Sequence, residues 1–122
     1  MVLADTSVWI AHFRKGEPVL QAYLMEGLVL MHPFVCGELA CGNLKNRQGI
    51  LEDLNALPPA GLASHSEVLR LVEDRRLWGR GLGWVDVHLL ASALLSNSRF
   101  WTRDTRLART AQELGLGSGI PV

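Results

Sequence analysis

The stretch Val2-Leu3-Ala4-Asp5-Thr6-Ser7-Val8-Trp9 changes character within eight residues. Three small apolar residues come first, then an acid, two hydroxyls and the start of a helical pattern. An apolar run too short for a helix, followed at once by cap-forming side chains, reads as a buried strand feeding a helix. Phe100-Trp101-Thr102-Arg103-Asp104 repeats the device, with a strand over 99–102 and a helix over 104–114. Two such units, both with an acid just past the strand, predict an α/β domain. Its central, mostly parallel β-sheet would be flanked by α-helices.

Working outward, the first helix has Thr6 or Ser7 as its expected cap and closes at Gly16. Pro18 suits the first turn of a second helix, ended by Gly27. Residues 28–31 read as a second strand, followed by a helix over 33–42 and another over 48–57, stopped by Pro58-Pro59. A weak strand is expected at 61–63. Ser64 and Glu67 form a capping box that opens a helix running to Trp78. After the glycines at 79, 81 and 83 comes the most apolar helix, 84–96. Residues 119–122 would add a last edge strand.

At 122 residues the chain suits one domain over 1–122, large enough to bury a core without disulfides. Twelve basic and twelve acidic residues cancel, so net charge names no partner. Cys36 and Cys41 are five apart in one expected helix and point different ways, which suits two buried small hydrophobes better than a bridge or a zinc site. Unpaired cysteines, the lack of an opening signal segment and the lack of a membrane-length apolar run predict a cytoplasmic protein.

Most of the acids sit among polar neighbours or near helix ends. Four stand in apolar company: Asp5, Glu38, Asp86 and Asp104. Asp5 and Asp104 follow strands, and ligands bind beyond the carboxyl ends of strands in open parallel sheets. Asp86 lies in the first turn of its helix, on the face of Leu89, Leu90 and Ala93. Glu38, between Val35, Leu39 and Cys41, is expected to be buried and to need a partner, because burying a lone carboxylate costs several kcal/mol. Asp5, Asp86 and Asp104 can also be read as helix caps or dipole partners. If all four converge, two bare carboxylates about 5 Å apart repel by roughly 3 kcal/mol at an effective dielectric of about 20. An all-oxygen set then favours Mg²⁺ or Mn²⁺ over zinc.

The chain resembles PIN-domain ribonucleases, in particular the VapC toxins of bacterial toxin–antitoxin pairs. The likeness is carried by the opening stretch, Cys36-Gly37-Glu38-Leu39, the run from Gly83 to Ala93 (Gly-Trp-Val-Asp-Val-His-Leu-Leu-Ala-Ser-Ala), and Trp101-Thr102-Arg103-Asp104, in that order. It implies a PIN-like fold and an acidic site of Asp5, Glu38, Asp86 and Asp104 holding Mg²⁺ or Mn²⁺. The implied reaction is hydrolysis of RNA. The implied partners are a second copy of the chain and a VapB-like antitoxin, with DNA reached only through the antitoxin complex. Thr6 or Ser7, and Thr102, would orient an acid or a water. Many relatives carry a further acid where this chain has Arg106, which leaves one metal better supported than two.

Arg103 and Arg106 flank Asp104 and are candidates for holding RNA backbone. Arg75, Arg76 and Arg80 read equally well as a solvated face paired with Glu73 and Asp74. Trp9 and Trp101 suit the core; Trp78 and Trp84 suit a surface for a partner. His88, two residues beyond Asp86, should point elsewhere. The glycine triplet lacks the strand, Lys and Ser/Thr of a phosphate loop and reads as a hinge. Two other functions fit this architecture: a PIN-type nuclease of RNA processing outside toxin–antitoxin systems, and a phospho-acceptor receiver switch. The switch requires paired acids after the first strand and a late lysine, yet no lysine follows Lys45.

Overall fold

The computed structural model describes residues 1–122. Three parallel strands, β1 (Val2–Ala4), β2 (Val29–Leu30) and β3 (Arg99–Trp101), form a sheet of order β2-β1-β3. Leu3 is in register with Leu30 on one side and Phe100 on the other. Parallel neighbours require crossover helices, and seven are present. They are α1 (Thr6–Lys15), α2 (Pro18–Met25), α3 (Pro33–Ala40), α4 (Arg47–Asn55), α5 (His65–Asp74), α6 (Trp84–Leu95) and α7 (Thr105–Glu113). None is long and apolar enough to cross a membrane.

The chain moves from β1 to β2 on one side, then crosses back to β3 on the other. Strand direction therefore reverses its spread at β1, which opens a crevice beyond the carboxyl ends of β1 and β3. The core lies beneath, with Leu3, Leu20, Val29, Val35 and Leu90 fully enclosed and Phe100, Trp9 and Trp101 nearly so. α6 packs on β1 and β3, and α5 is pinned to α6 by Val68, Leu77, Val87 and Ala91. The α5 capping box is complete, with Ser64 N donating to Glu67 Oε1 and Glu67 N to Ser64 Oγ.

Several expected features fall elsewhere. The sheet is extended past β2 by a parallel bridge from Met31 to Pro59, not by 61–63, and past β3 by Gly117 pairing with Phe100, not by 119–122. Pro59 can sit in this bridge because neither its nitrogen nor its carbonyl is used in it: Met31 N donates to Pro58 O, and Ala60 N to Met31 O. α5 ends at Asp74, four residues short of Trp78, where Arg76 turns left-handed at φ 54°. Cys36 is half-buried and Cys41, capping the end of α3, is exposed, so neither is the enclosed hydrophobe expected. α1 is capped by Asp5 rather than Thr6 or Ser7. Arg80 pairs with Glu113 of α7, not with Glu73 or Asp74.

Candidate active site

Asp5 is the centre of the crevice. Its amide donates to Trp101 O, continuing the ladder one residue past β1 and fixing it against β3. Only 7 % of Asp5 is exposed, and its carboxylate accepts from Ser7 N, Val8 N, Ser7 Oγ and Thr102 Oγ1. All are neutral donors. The two ion pairs of the molecule, Arg80–Glu113 and Arg103–Glu17, do not involve it. Burial accordingly pushes its carboxyl pKa up, against the lowering effect of the hydrogen bonds.

The hydroxyls around Asp5 link it to two further acids. Thr102 Oγ1 donates to Asp5 Oδ2 at 2.6 Å and accepts from Asp104 N at 3.1 Å. Ser7 Oγ donates to Asp5 and accepts from Arg103 N. Thr6, next in the chain, donates to Glu38 Oε1 at 2.6 Å, joining the start of α1 to α3. One surface of linked groups thus runs from Glu38 through Thr6, Asp5 and Thr102 to Asp104.

Glu38 is exposed, which overturns its expected burial. Val35 and Leu39, four apart, turn inward on α3, and Glu38 lies about 100° of helix rotation from Leu39. Asp104 is exposed and caps α7, accepting from Arg106 N and Leu107 N. Asp86 is half-buried at the start of α6 and accepts from Gly83 N at 2.9 Å; it shares no hydrogen bond with the other three acids. Capping and site geometry are therefore compatible, because a carboxylate bonded to one or two amides keeps lone pairs free.

No three acidic, histidine or cysteine side chains stand close enough here to form a shared ligand set. The donor chemistry nevertheless suits a hard divalent cation. The oxygens are carboxylate and hydroxyl, and the buried Asp5 carboxyl has no Lys or Arg partner. Asp5, with Glu38 from the second turn of α3 and Asp86 and Asp104 from the starts of α6 and α7, are the residues that would hold the cation.

Arg106 is exposed and lies across the loop that leads to Asp86. Gly81, at φ 77°, lies against the Arg106 guanidinium, which a Cβ there would displace. Arg106 forms no ion pair, while Arg103 stands 4.0 Å from Glu17. Two imidazoles are buried here: His88, which the sequence placed beyond Asp86 and facing elsewhere, and His32, which the sequence did not single out. His32 caps α3 by accepting from Phe34 N through Nδ1, and burial lowers its pKa to about 4, with His88 adding to the effect. His88 packs between Phe34 and Trp84, and its pKa is also lowered, mainly by burial. The His at the end of β2, just before Pro33, was the available signal for a histidine N-cap.

The PIN domain family model matches residues 2–113. Two curated relatives, both called Ribonuclease VapC32, come from the CDC 1551/Oshkosh and ATCC 25618/H37Rv strains of Mycobacterium tuberculosis. Each is 48 % identical to this chain over 117 residues, covering 95 % of this chain and 94 % of the relative.

Proposed function

The chain belongs to the PIN-domain family, and from that premise we propose that it is an endoribonuclease of the VapC kind, the toxin of a toxin–antitoxin pair. Its site is the crevice bordered by Asp5, Glu38, Asp86 and Asp104. The observation that carries this reading is Asp5: a buried carboxyl with no Lys or Arg partner at the sheet's switch point, linked through Thr102 to Asp104 and flanked by Thr6–Glu38.

The reaction is hydrolysis of a phosphodiester. A water oxygen bonds to phosphorus, one P–O bond to ribose breaks, and the proton lost by water is balanced by one gained on the leaving oxygen. A bound Mg²⁺ or Mn²⁺ would supply positive charge and polarise a phosphate oxygen. Asp5 and Asp86 would be its main ligands, with Glu38 and Asp104 completing the set or accepting the proton of the attacking water. Ser7 and Thr102 hold Asp5 in one orientation, and Thr6 does so for Glu38. Arg106, unpaired, and Arg103 would draw the RNA backbone to an otherwise acidic rim.

The same reading gives one domain over 1–122 working in the cytoplasm as a homodimer. A VapB-like antitoxin would inhibit it and connect it to DNA. The test is incubation of purified protein with total RNA, Mg²⁺ or Mn²⁺, and mapping of the cut ends. Cleavage should stop with chelator and in Asp86→Asn. Cleavage that survives both would refute the assignment. A small DNA-binding protein that co-purifies and blocks cleavage would support the toxin role. Its absence, with harmless overexpression, would favour RNA processing.

A further inference from the structure

A row of rings runs along the same edge of the sheet as the acids. In order they are His65, Trp84, His88, Phe34 and His32, with successive centroids 5.0, 4.7, 5.0 and 5.0 Å apart. The interplanar angles are 53°, 84°, 65° and 59°, so no neighbour lies parallel on another. Topology explains the gathering. α3 follows β2 and begins at the carboxyl edge of the sheet. α6 feeds β3, runs against the strands and begins at that edge too. Phe34 is four residues before Glu38 on α3, hence on the same side of that helix, and Trp84 shares the first turn of α6 with Asp86.

The row has a buried floor and an open crest. His32 and His88 are enclosed, whereas Phe34 is 38 % and Trp84 40 % exposed. Single exposed hydrophobics are ordinary, and Met25 or Trp78 requires no account. Phe34 and Trp84 differ in being gripped on two sides by imidazoles. Their orientations are set before any ligand arrives, which lowers the entropy cost of binding a flat partner.

We infer that Phe34 and Trp84 form a stacking platform for bases of single-stranded RNA beside the phosphate that is cut; this rests on the nuclease reading above. A strand whose phosphate reaches the acids must carry its neighbouring nucleotides over these two helix starts. The rim there is acidic, so attraction for the RNA backbone is weak, and stacking on uncharged rings supplies what charge does not. His32 is enclosed and its Nδ1 is engaged by Phe34 N, so it does not read a base. Stacking of this kind tolerates any base.

The test is fluorescence anisotropy of a labelled single-stranded RNA oligonucleotide on the full chain carrying Asp5→Asn, which should bind without cutting. Trp84→Leu and Phe34→Leu should each weaken binding about tenfold, with an unchanged salt slope, and Trp84→Phe should restore most of the loss. An oligonucleotide with abasic sites flanking the cut should bind the parent about tenfold more weakly and show no further loss with Trp84→Leu. Unaltered affinity in a Leu variant with native circular dichroism would overturn the platform. So would an equal loss on intact and abasic strands. Sedimentation showing that Trp84→Leu only dissociates a dimer, with RNA affinity kept, would make the row an interface between copies. Should Trp84→Leu fail to fold, Phe34→Leu and the abasic strands decide alone. Cleavage of the same oligonucleotide by the unaltered protein is scored separately. If none occurs but the base-dependent binding persists, the nuclease reading falls and the platform stands.

Discussion

Thr102 Oγ1 donates to Asp5 Oδ2 at 2.6 Å across 97 positions of sequence, and this bond ties the end of β3 to the end of β1. Thr102 is itself buried and accepts from Asp104 N with the same oxygen. One hydroxyl therefore holds a carboxyl that has no Lys or Arg partner and anchors the turn into α7.

Replacing Asp5 by Asn should separate stability from activity. The charged carboxylate is buried among neutral donors, and its raised pKa means the fold disfavours that charge once pH exceeds the carboxyl's folded pKa. Near neutral pH, Asp5→Asn should unfold at a higher urea concentration than the parent without metal. It should also lose RNA cleavage and gain little thermal stability from added Mn²⁺, whereas the parent gains. A parent that Mn²⁺ does not stabilise would rule out Asp5 as a ligand.

Thr102→Val keeps the side chain's shape and removes its hydrogen bonds to Asp5 Oδ2 and Asp104 N. The buried Asp5 carboxyl and the partly buried Asp104 amide then lose a partner, and stability should fall by about 1–3 kcal/mol in urea denaturation. Cleavage should slow with it, because Asp5 is then held through Oδ1 alone. Thr102→Ser retains the hydroxyl and should recover most of both. Equal behaviour of Val and Ser would mean the hydroxyl is idle.

The strand-then-acid device made Asp5 and Asp104 legible, since a parallel sheet sends every strand's carboxyl end to one edge whatever the rest of the chain does. Glu38 was legible as a candidate acid but not in its exposure. Apolar neighbours in sequence are not neighbours on a helix, and in the two-turn α3 only Val35 and Leu39 face the core. The edges of the sheet were placed wrongly because a single bridge, at Pro59 or Gly117, has no periodicity to read. The Arg80–Glu113 pair spans 33 positions, and only the packed fold brings those charges together. The ring row escaped for the same reason: Trp84 and His88 are a helical pair, but Phe34 reaches them only through the fold.

Glu38→Gln tests the exposed acid. Its one hydrogen bond comes from Thr6, which a glutamine oxygen can also accept, so stability should stay within about 0.5 kcal/mol of the parent. Cleavage should drop by about 10- to 100-fold if the charge supports an ion or takes a proton. A rate equal to the parent's would remove Glu38 from the chemistry.

His32 should impose a pH dependence on folding. Its Nδ1 accepts from Phe34 N, so the neutral ring carries its proton on Nε2, and protonating Nδ1 would break the cap of α3. Burial first, and the neighbouring His88 second, hold the folded pKa at about 4, against 6.5 for the unfolded chain. Between those values the unfolded chain binds a proton that the folded one refuses. The contribution of His32 is thus fully present above pH 6.5 and is lost as pH falls toward 4, by up to about 3 kcal/mol. Carboxylates titrate in the lower part of this window, so the discriminating measurement is a difference. Urea midpoints of the parent and of His32→Asn, which keeps a capping oxygen and cannot titrate, should be followed from pH 7.5 to 4.5. The variant should start lower, having lost its packing on Phe34, and fall less steeply. Parallel curves would mean that His32 takes up its proton in the folded state as readily as in the unfolded one.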